Sequence, residues 1–290
     1  MLPLARNFIL ASTFSLISLG CVQRFAIRAV GGIIDEYGFV TLNEESDLDL
    51  AEKAIASNLK LTEILAKGDP DNEELLLALS MGYSSYALGF VEDESIDRAR
   101  TLYLRGRDFG LRILRDNRRF AEALNGDIEG FPAALQTFSK NDIPTIFWTA
   151  MGWGSYINLT LTEPDALADL PKVEAMMQFV REKDSAYYYG GAFLFLGTMY
   201  GGRPKLLGGN LELSRRHFEQ CLRTNKGNFL LTHVYYARSY AVQAQNQRLF
   251  EELLHKVENA SPDILPEARL PNAIAKKKAR LLRSKINDLF

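Results

Sequence analysis

Histidine and cysteine are the side chains best able to bind a metal ion or act as a nucleophile, and this sequence has three of the first and two of the second. His217 and Cys221 lie four residues apart, so on a helix they would share a face and could bind one ion. Two ligands are too few for a closed zinc site, and neither His-Glu-x-x-His nor Cys-x-x-Cys is present. The sequence therefore predicts no metal and no cofactor.

Other catalytic signatures are also missing. The sequence has no Gly-x-Ser-x-Gly nucleophile elbow, no phosphate-binding P-loop and no dinucleotide fingerprint. The carboxylates of Glu92 and Asp93 have the chemistry of an acid–base pair. Nothing in the sequence places them in a common cleft, however, and a capped helix end explains them more simply. We therefore predict that the protein is not an enzyme.

Tyrosine and tryptophan residues recur at helical spacing in three clusters. Such residues usually form core, yet their O–H and N–H groups favour positions where a groove or an interface is half wet. A concave surface lined by these rings is typical of a site for a ligand or a peptide. The candidate binding residues are therefore Trp148, Trp153, Tyr156, Tyr188, Tyr189, Tyr200 and Tyr236.

The first twenty residues have the pattern of an export signal. One positive charge in Met1–Arg6 precedes an uncharged run of 14 residues, Asn7–Gly20, which is too short to span a bilayer as a helix. Ser18-Leu19-Gly20-Cys21 then resembles a bacterial lipobox, in which a diacylglycerol is attached to the cysteine and the peptide is cut before it. We predict a lipoprotein signal peptide over residues 1–20 and a lipid on Cys21. The alternatives are an uncleaved signal anchor or an ordinary secretory peptide.

A lipid on Cys21 would anchor the rest of the chain to a membrane from outside the cytoplasm. Val22 stands where an aspartate would resemble an inner-membrane retention signal, so we expect a periplasmic protein on the outer membrane. Cys221 would then be a lone thiol, which is most safely buried. The net charge of −2 over 290 residues gives no electrostatic reason to bind nucleic acid.

The rest of the chain has the apolar periodicity of helices and almost no strand pattern. In Asp47–Lys67, for example, Leu48, Ala51 and Ile55 follow one another at three- and four-residue steps. We predict an all-α fold of about a dozen helices, arranged as an α-solenoid or bundle. Because no composition change marks a linker, residues 21–290 are predicted to form a single domain.

Degenerate tetratricopeptide (TPR)-like spacing is present within the helical pattern. Leu196-Gly197-Thr198-Met199-Tyr200 matches the first helix of such a repeat, and Ser214, Phe218 and Cys221 match the small–large–small steps of the second. The interval between the two halves is longer than in the repeat. We expect cryptic TPR-like repeats, with an ordinary helical bundle as the alternative.

One predicted helix, Ser95–Asn117, has a strongly basic face on which Arg98, Arg105 and Arg112 recur every seven residues. A solvent-exposed face is the simplest interpretation. The alternative is pairing with the acidic stretch Glu36–Glu74, because the guanidinium group makes bidentate contacts with carboxylates.

The order of several short segments resembles one protein family over residues 25–283. Each segment is a weak signal, and their joint order carries the resemblance: Gly68-Asp69-Pro70-Asp71-Asn72, Phe90-Val91-Glu92-Asp93, Leu102-Tyr103-Leu104-Arg105-Gly106, Phe147-Trp148-Thr149-Ala150-Met151-Gly152-Trp153, Tyr189-Gly190-Gly191-Ala192, Arg203-Pro204-Lys205-Leu206-Leu207-Gly208-Gly209 and Leu265-Pro266-Glu267-Ala268-Arg269-Leu270-Pro271-Asn272. The chain resembles the T-component (TatT-like) lipoproteins of TRAP transporters.

The resemblance implies an all-α fold with cryptic TPR-like repeats in a periplasmic lipoprotein that assembles as a homotrimer. It also implies association with the substrate-binding P-component of the transporter and a channel for a hydrophobic ligand. On this basis we predict a non-enzymatic accessory subunit for solute uptake. The alternative function is an envelope scaffold that uses a similar fold for protein assembly, without a transporter.

Overall fold

The computed structural model describes residue 22 and residues 24–290. The predicted signal peptide, residues 1–20, and the predicted lipid-attachment residue Cys21 lie outside this part of the chain. The structure is 80% helical, and no strand occurs within the described part. The all-α prediction is therefore confirmed.

The α-helices are numbered in chain order, beginning with α1 over residues 24–33. The others are α2 (Phe39–Asn43), α3 (Leu48–Gly68), α4 (Glu73–Tyr86), α5 (Ile96–Leu114), α6 (Arg118–Leu124), α7 (Phe131–Leu135), α8 (Ile143–Asn158), α9 (Pro164–Ala168), α10 (Leu170–Lys183), α11 (Tyr187–Gly201), α12 (Leu211–Thr224), α13 (Leu231–Tyr235), α14 (Gln247–Asn259), α15 (Arg269–Ser284) and α16 (Ile286–Leu289). Three π-helical turns continue α1, α4 and α13, and they cover Ile34–Gly38, Ala87–Val91 and Tyr236–Ala241.

Helix starts follow local capping chemistry. The side chain of Asp47 accepts hydrogen bonds from the amides of Asp49 and Leu50, at 3.0 and 3.1 Å, and begins α3. The side chain of Asn72 accepts from the amide of Leu75 at 3.1 Å and begins α4. Both caps satisfy amides that have no partner within their own helix. Local side-chain chemistry therefore fixes where α3 and α4 begin.

One segment in the described part, Glu73–Val91, is long and apolar enough to cross a membrane by these two criteria alone. It consists of α4 and the π turn that follows it, and it packs against α3, α5 and α8. In the folded chain 61% of its most apolar stretch is buried. A buried central helix explains this apolar composition without a membrane.

Glycine lets α4, α5 and α8 approach one another closely. A Cβ atom on Gly106 of α5 would lie 3.0 Å from the carbonyl oxygen of Ser80 in α4. A Cβ atom on Gly152 of α8 would lie 2.9 Å from the carbonyl oxygen of Tyr103 in α5. Since both atoms belong to neighbouring backbones, a larger residue at either position would push two helices apart.

Two buried apolar clusters form the interior. The first is formed mainly by α3, α4 and the C-terminal helices α13–α15. The second is formed mainly by α6, α7, α8 and α10. Helix α11 lies between them, because its Leu196 belongs to the second cluster while Leu194 packs against the first.

The expected TPR-like repeats are not confirmed. The matching helix pair, α11 and α12, does pack closely: a Cβ atom on Gly197 would lie 3.1 Å from the ring of Phe218, and Ser214 donates to the Gly197 carbonyl at 2.7 Å. Regular repetition is not maintained around this pair, because α11 begins with a left-handed stretch and α13 runs into a π-helical turn. The helices are better described as an irregular α-helical bundle.

Candidate ligand-binding cavity

A cavity of about 160 Å³ lies between the two apolar clusters. Residues of the first cluster on its wall include Phe90, Leu231 and Ile274, and residues of the second include Phe147 and Ile157. Further apolar side chains on the wall are only half-buried in the fold: Leu88, Met151, Leu159, Leu194 and Phe195. The site is therefore predominantly apolar, as binding sites for small molecules usually are.

All three π-helical turns adjoin this cavity. Phe39 follows the first turn directly, Leu88 and Phe90 lie within the second, and Arg238 lies within the third. A π-helical turn inserts one extra residue into a helix, and such turns are frequent at functional sites. Here the second and third turns place side chains on the cavity wall, and the first directly precedes the wall residue Phe39.

Trp148 forms the aromatic wall of the cavity together with Tyr188. The two ring centroids are 4.9 Å apart at an interplanar angle of 71°, and Phe147 contacts Trp148 edge-on at 5.2 Å. The indole Nε1 of Trp148 is buried without a hydrogen-bond partner among the described residues. A buried donor without an acceptor costs free energy, and an acceptor group on a ligand would remove that cost.

A left-handed backbone stretch positions Tyr188. Tyr188, Tyr189 and Gly190 have φ angles of 46°, 60° and 80° at the start of α11. Non-glycine residues rarely adopt this conformation, and strain of this kind is concentrated at functional sites. Tyr188 thereby contacts Trp148, while Tyr189 stacks on Phe229 with centroids 4.8 Å apart.

Polar side chains at the C-terminal end of α12 and in α13 stabilise the left-handed stretch. The side-chain amide of Asn225 donates to the carbonyl oxygen of Tyr189 at 3.1 Å and to the hydroxyl of Thr232 at 3.0 Å. The thiol of Cys221 lies 3.4 Å from the carbonyl oxygen of Gly190. Cys221 is buried, as expected for a lone thiol, and burial raises its pKa to about 11, so the thiol is neutral.

Replacing Gly190 by alanine is expected to destabilise the protein by about 1–2 kcal/mol, because a Cβ atom is unfavourable at positive φ. The added atom would also lie 3.3 Å from Thr224, which leaves little room. Urea unfolding followed by circular dichroism measures the change. Gly130→Ala is the matched control, since Gly130 has negative φ and nothing within 4 Å of its Cβ position. Equal stability of the two variants would contradict a strained turn.

A buried charged set lies at another part of the wall. The carboxylate of Glu92 accepts hydrogen bonds from the hydroxyls of Tyr103 and Tyr235, at 2.6 and 3.1 Å. It also accepts from Lys278 at 2.9 Å and Arg238 at 3.3 Å. Asp93 lies 2.6 Å from Lys278, so two acids face two bases.

The Glu92 carboxylate is held in its charged form. Burial opposes ionisation, but the charges of Lys278 and Arg238 and the hydrogen bond from Tyr103 outweigh it and lower the pKa of Glu92. Burial and the charge of Glu92 together raise the pKa of Tyr103 and of Tyr235 well above its usual value, so both hydroxyls keep their protons and donate. This end of the cavity is polar but carries no excess charge.

Arg203 is a buried cation on the cavity wall. Its Nε donates to the carbonyl oxygen of Met199 at 2.7 Å, and burial lowers its pKa. It forms no ion pair with any residue in the described part of the chain. Gly209 folds back so closely that a Cβ atom there would lie 1.9 Å from the Arg203 carbonyl oxygen, which fixes the loop that carries this arginine.

Of the seven aromatic candidates, Trp148 and Tyr188 line the cavity. Trp153 and Tyr156 lie beneath arginines of α5: Arg107 covers the Trp153 ring at 5.6 Å and Arg100 the Tyr156 ring at 6.0 Å.

The three remaining candidates do not line the cavity and pack against neighbouring rings. Tyr189 stacks on Phe229, and its hydroxyl donates to the carbonyl oxygen of Glu267 at 3.2 Å. The rings of Tyr200 and Tyr236 stack on His217 and Phe218, with centroids 5.7 and 4.8 Å apart. The hydroxyl of Tyr200 also donates to Glu174.

The residues considered for metal binding and catalysis have other surroundings. Among the described residues no three His, Cys, Asp or Glu side chains come close enough to hold a metal ion. Burial and the charge of Arg181 lower the pKa of His217 to about 4. Glu92 and Asp93, considered above as an acid–base pair, are both bound to Lys278.

Sequence reasoning missed several wall residues, above all Phe39, Arg203 and Arg238. Phe39 follows a π-helical turn and Arg238 lies within one, and such turns have no clear sequence signature. Arg203 lies in the segment 203–209, which belongs to the family resemblance but was not predicted to contribute to a binding site. An arginine in a short interhelical loop rich in glycine and leucine is a weak signal of a buried cation.

Fold and site together define a class of protein: an all-α bundle whose helices surround a mostly apolar cavity, with aromatic rings on one wall and a balanced charged set on another. The family model of the TRAP transporter T-component matches residues 44–290, so the chain belongs to the TRAP transporter T-component family. Such a component is an accessory part of a transport system, and membership indicates a location in the cell envelope.

A protein of Treponema pallidum (strain Nichols) is similar to this chain. The two are 28% identical over 265 residues, which cover 85% of this chain and 81% of the relative. That protein is named only as uncharacterized. The similarity extends over most of both chains and adds no activity to the family assignment.

Proposed function

We propose that the protein is a periplasmic accessory subunit of a TRAP-type uptake system, attached to the membrane, preferably the outer membrane, by a lipid on Cys21. In this role it docks the substrate-binding P-component and passes on an apolar ligand held in the cavity. It assembles as a homotrimer. Its residues bind and position a ligand and a partner without making or breaking covalent bonds.

The apolar cavity is the observation that carries this proposal. An apolar cavity of about 150 Å³ in another protein stays dry and takes up benzene, and the cavity here has a similar volume of about 160 Å³. Its wall combines many apolar side chains with a few polar groups, which is the usual composition of a site that selects an apolar molecule. In a family that takes part in solute transport, such a site can hold the ligand that is passed on.

Affinity capture tests the partner. The tagged full-length protein is used as bait in envelope extracts from cells that express a TRAP solute-binding protein, and captured proteins are identified by mass spectrometry. We expect this solute-binding protein to be enriched and to be displaced by excess untagged bait. Sedimentation of the purified protein measures the trimer.

Two results would contradict the proposal. If assembly machinery is captured and the expressed solute-binding protein is not, the protein is an envelope scaffold. If the solute-binding protein is captured equally by an unrelated lipoprotein, the enrichment reflects only co-localisation at the membrane.

A further inference from the structure

The first helical segment of the described chain exposes a continuous apolar stripe. Every residue of the stripe is solvent-exposed, and the members follow one another at three- and four-residue steps: Val22, Ala26, Ala29, Ile33, Tyr37 and Val40. Phe25 and Val30 flank the stripe and are exposed as well, Phe25 by 76% and Ile33 by 60%. A helix that belongs only to a water-soluble surface would carry polar residues along this line.

The opposite face of the same helix is fixed to the protein. Ile27 is buried in the first cluster, and a Cβ atom on Gly31 would be 3.5 Å from Leu75 of α4. Arg28 pairs with the buried carboxylate of Asp69 at 2.8 Å, in the turn between α3 and α4. The stripe therefore points away from the bundle and cannot be covered by a simple rotation of the helix.

We propose that this stripe lies in the interfacial region of a lipid bilayer, parallel to the membrane surface. The inference rests on the proposed lipid attachment, because the stripe begins at Val22, directly after Cys21. Acyl chains on that cysteine would hold the helix start at the bilayer. A helix with one apolar face and one anchored end then gains by burying that face among the lipid headgroups and upper acyl chains.

The charges near the helix start agree with a lipid surface. Residues 22–34 contain no acidic residue, and the solvent-exposed Arg24 places a positive charge close to the anchor. Basic residues next to a membrane are attracted by anionic lipids. The first acids of the described chain, Asp35 and Glu36, come in the π-helical turn more than three helical turns after Val22. The basic end thus lies beside the anchor and the acidic part further away.

Depth-dependent fluorescence quenching tests the proposal on the full-length acylated protein in vesicles of phosphatidylethanolamine and phosphatidylglycerol. An environment-sensitive nitrobenzoxadiazole label is attached to Ile33→Cys on the stripe. The matched control is Leu206→Cys, which replaces a residue that is 94% exposed in a loop far along the chain. Cys221 is buried and is not labelled in the folded protein.

We expect the label at position 33 to shift to shorter wavelength and to be quenched by nitroxide groups near the lipid headgroups. The label at position 206 should keep its emission in water and escape quenching. A label at position 33 that stays water-like would overturn the proposal. So would a shift that grows with protein density without nitroxide quenching, because the stripe would then contact a second copy of the chain.

Intact-mass measurement separates this proposal from the lipid anchor. If the mass shows no acyl chains, the anchor proposal fails, and the stripe is tested by adding the unacylated protein to the same vesicles. Flotation with the vesicles that is lost in an Ile33→Ser, Val40→Ser variant still supports the stripe as a lipid contact. If neither the unacylated parent protein nor its variant floats with the vesicles, the proposed lipid contact of the stripe is contradicted.

Discussion

Lys278→Met is expected to reduce the free energy of unfolding by about 3–5 kcal/mol, because removal of one partner leaves a buried charge unpaired. Lys278 is 4% exposed in its side chain and lies 2.9 Å from Glu92 and 2.6 Å from Asp93. Without its ammonium group, Arg238 would be the remaining cation of the set beside these two carboxylates. Urea unfolding at neutral pH measures the loss.

Lys277→Met is the control for this variant. Lys277 is the adjacent residue, is 45% exposed in its side chain and lies 3.6 Å from Glu94. An exposed pair of this kind contributes at most about 1 kcal/mol. Equal losses in the two variants would show that the Glu92 set is solvated and unimportant. Adding Glu92→Gln to Lys278→Met should recover part of the loss, because the unpaired charge is then removed.

The effect of Lys278→Met should depend on pH in a defined direction. The pKa of Glu92 in the folded protein lies below its usual value of 4.5, so the folded state binds this proton less readily than the unfolded chain. The stabilisation by the ion pair is then complete above that value and is lost as the pH falls through the lower pKa of the folded state. The difference between the variant and the parent protein should therefore shrink in acid. A difference that grows in acid would contradict the pairing.

Met151→Trp is expected to reduce the affinity for a small apolar probe by at least about tenfold, a change of about 1.4 kcal/mol in binding free energy. Met151 is half-buried on the cavity wall, and a larger ring there would occupy part of the 160 Å³ space. Fluorobenzene suits the cavity in size, and its binding can be followed by fluorine nuclear magnetic resonance. The parent protein should broaden and shift the fluorine signal, and the variant should not.

Leu194→Trp is a second variant that fills part of the cavity, and it keeps the test usable if Met151→Trp does not fold. Leu194 contributes to the wall from α11, whereas Met151 contributes from α8. Leu61→Trp adds the same ring at an exposed position of α3 and should leave binding unchanged. Undiminished binding in both filled variants, each with a native circular dichroism spectrum, would show that the probe does not occupy this cavity.

Helix class and helix ends could be predicted because their causes are local. The apolar steps of α3 and the caps at Asp47 and Asn72 act within a few residues of the chain. The cavity could not be predicted in this way, because its wall combines Phe39, Phe90 and Arg238 from distant elements. The left-handed conformation of Tyr188 could not be predicted from the sequence either, since a tyrosine does not indicate positive φ.

The arginine-rich face of α5 shows the same limit. The seven-residue recurrence correctly places these side chains on one face of a helix, but it leaves their partners open. In the structure several of them cover aromatic rings, as Arg105 covers Tyr83 at 5.7 Å, while Arg112 donates to the Pro70 carbonyl at 2.6 Å. Cation–π contacts of this kind depend on which helix packs alongside, and this is decided by tertiary structure.

The charged set joins residues that are 186 positions apart in the chain, Glu92 and Lys278. The same C-terminal helix, α15, supplies Leu270, Pro271 and Ile274 to the cavity wall. Because a chain is synthesised from its N-terminus, this wall is completed last, after the other apolar surfaces have already emerged. Until α15 docks, those surfaces remain open to water and to other chains, so the step most sensitive to aggregation comes at the end of chain synthesis.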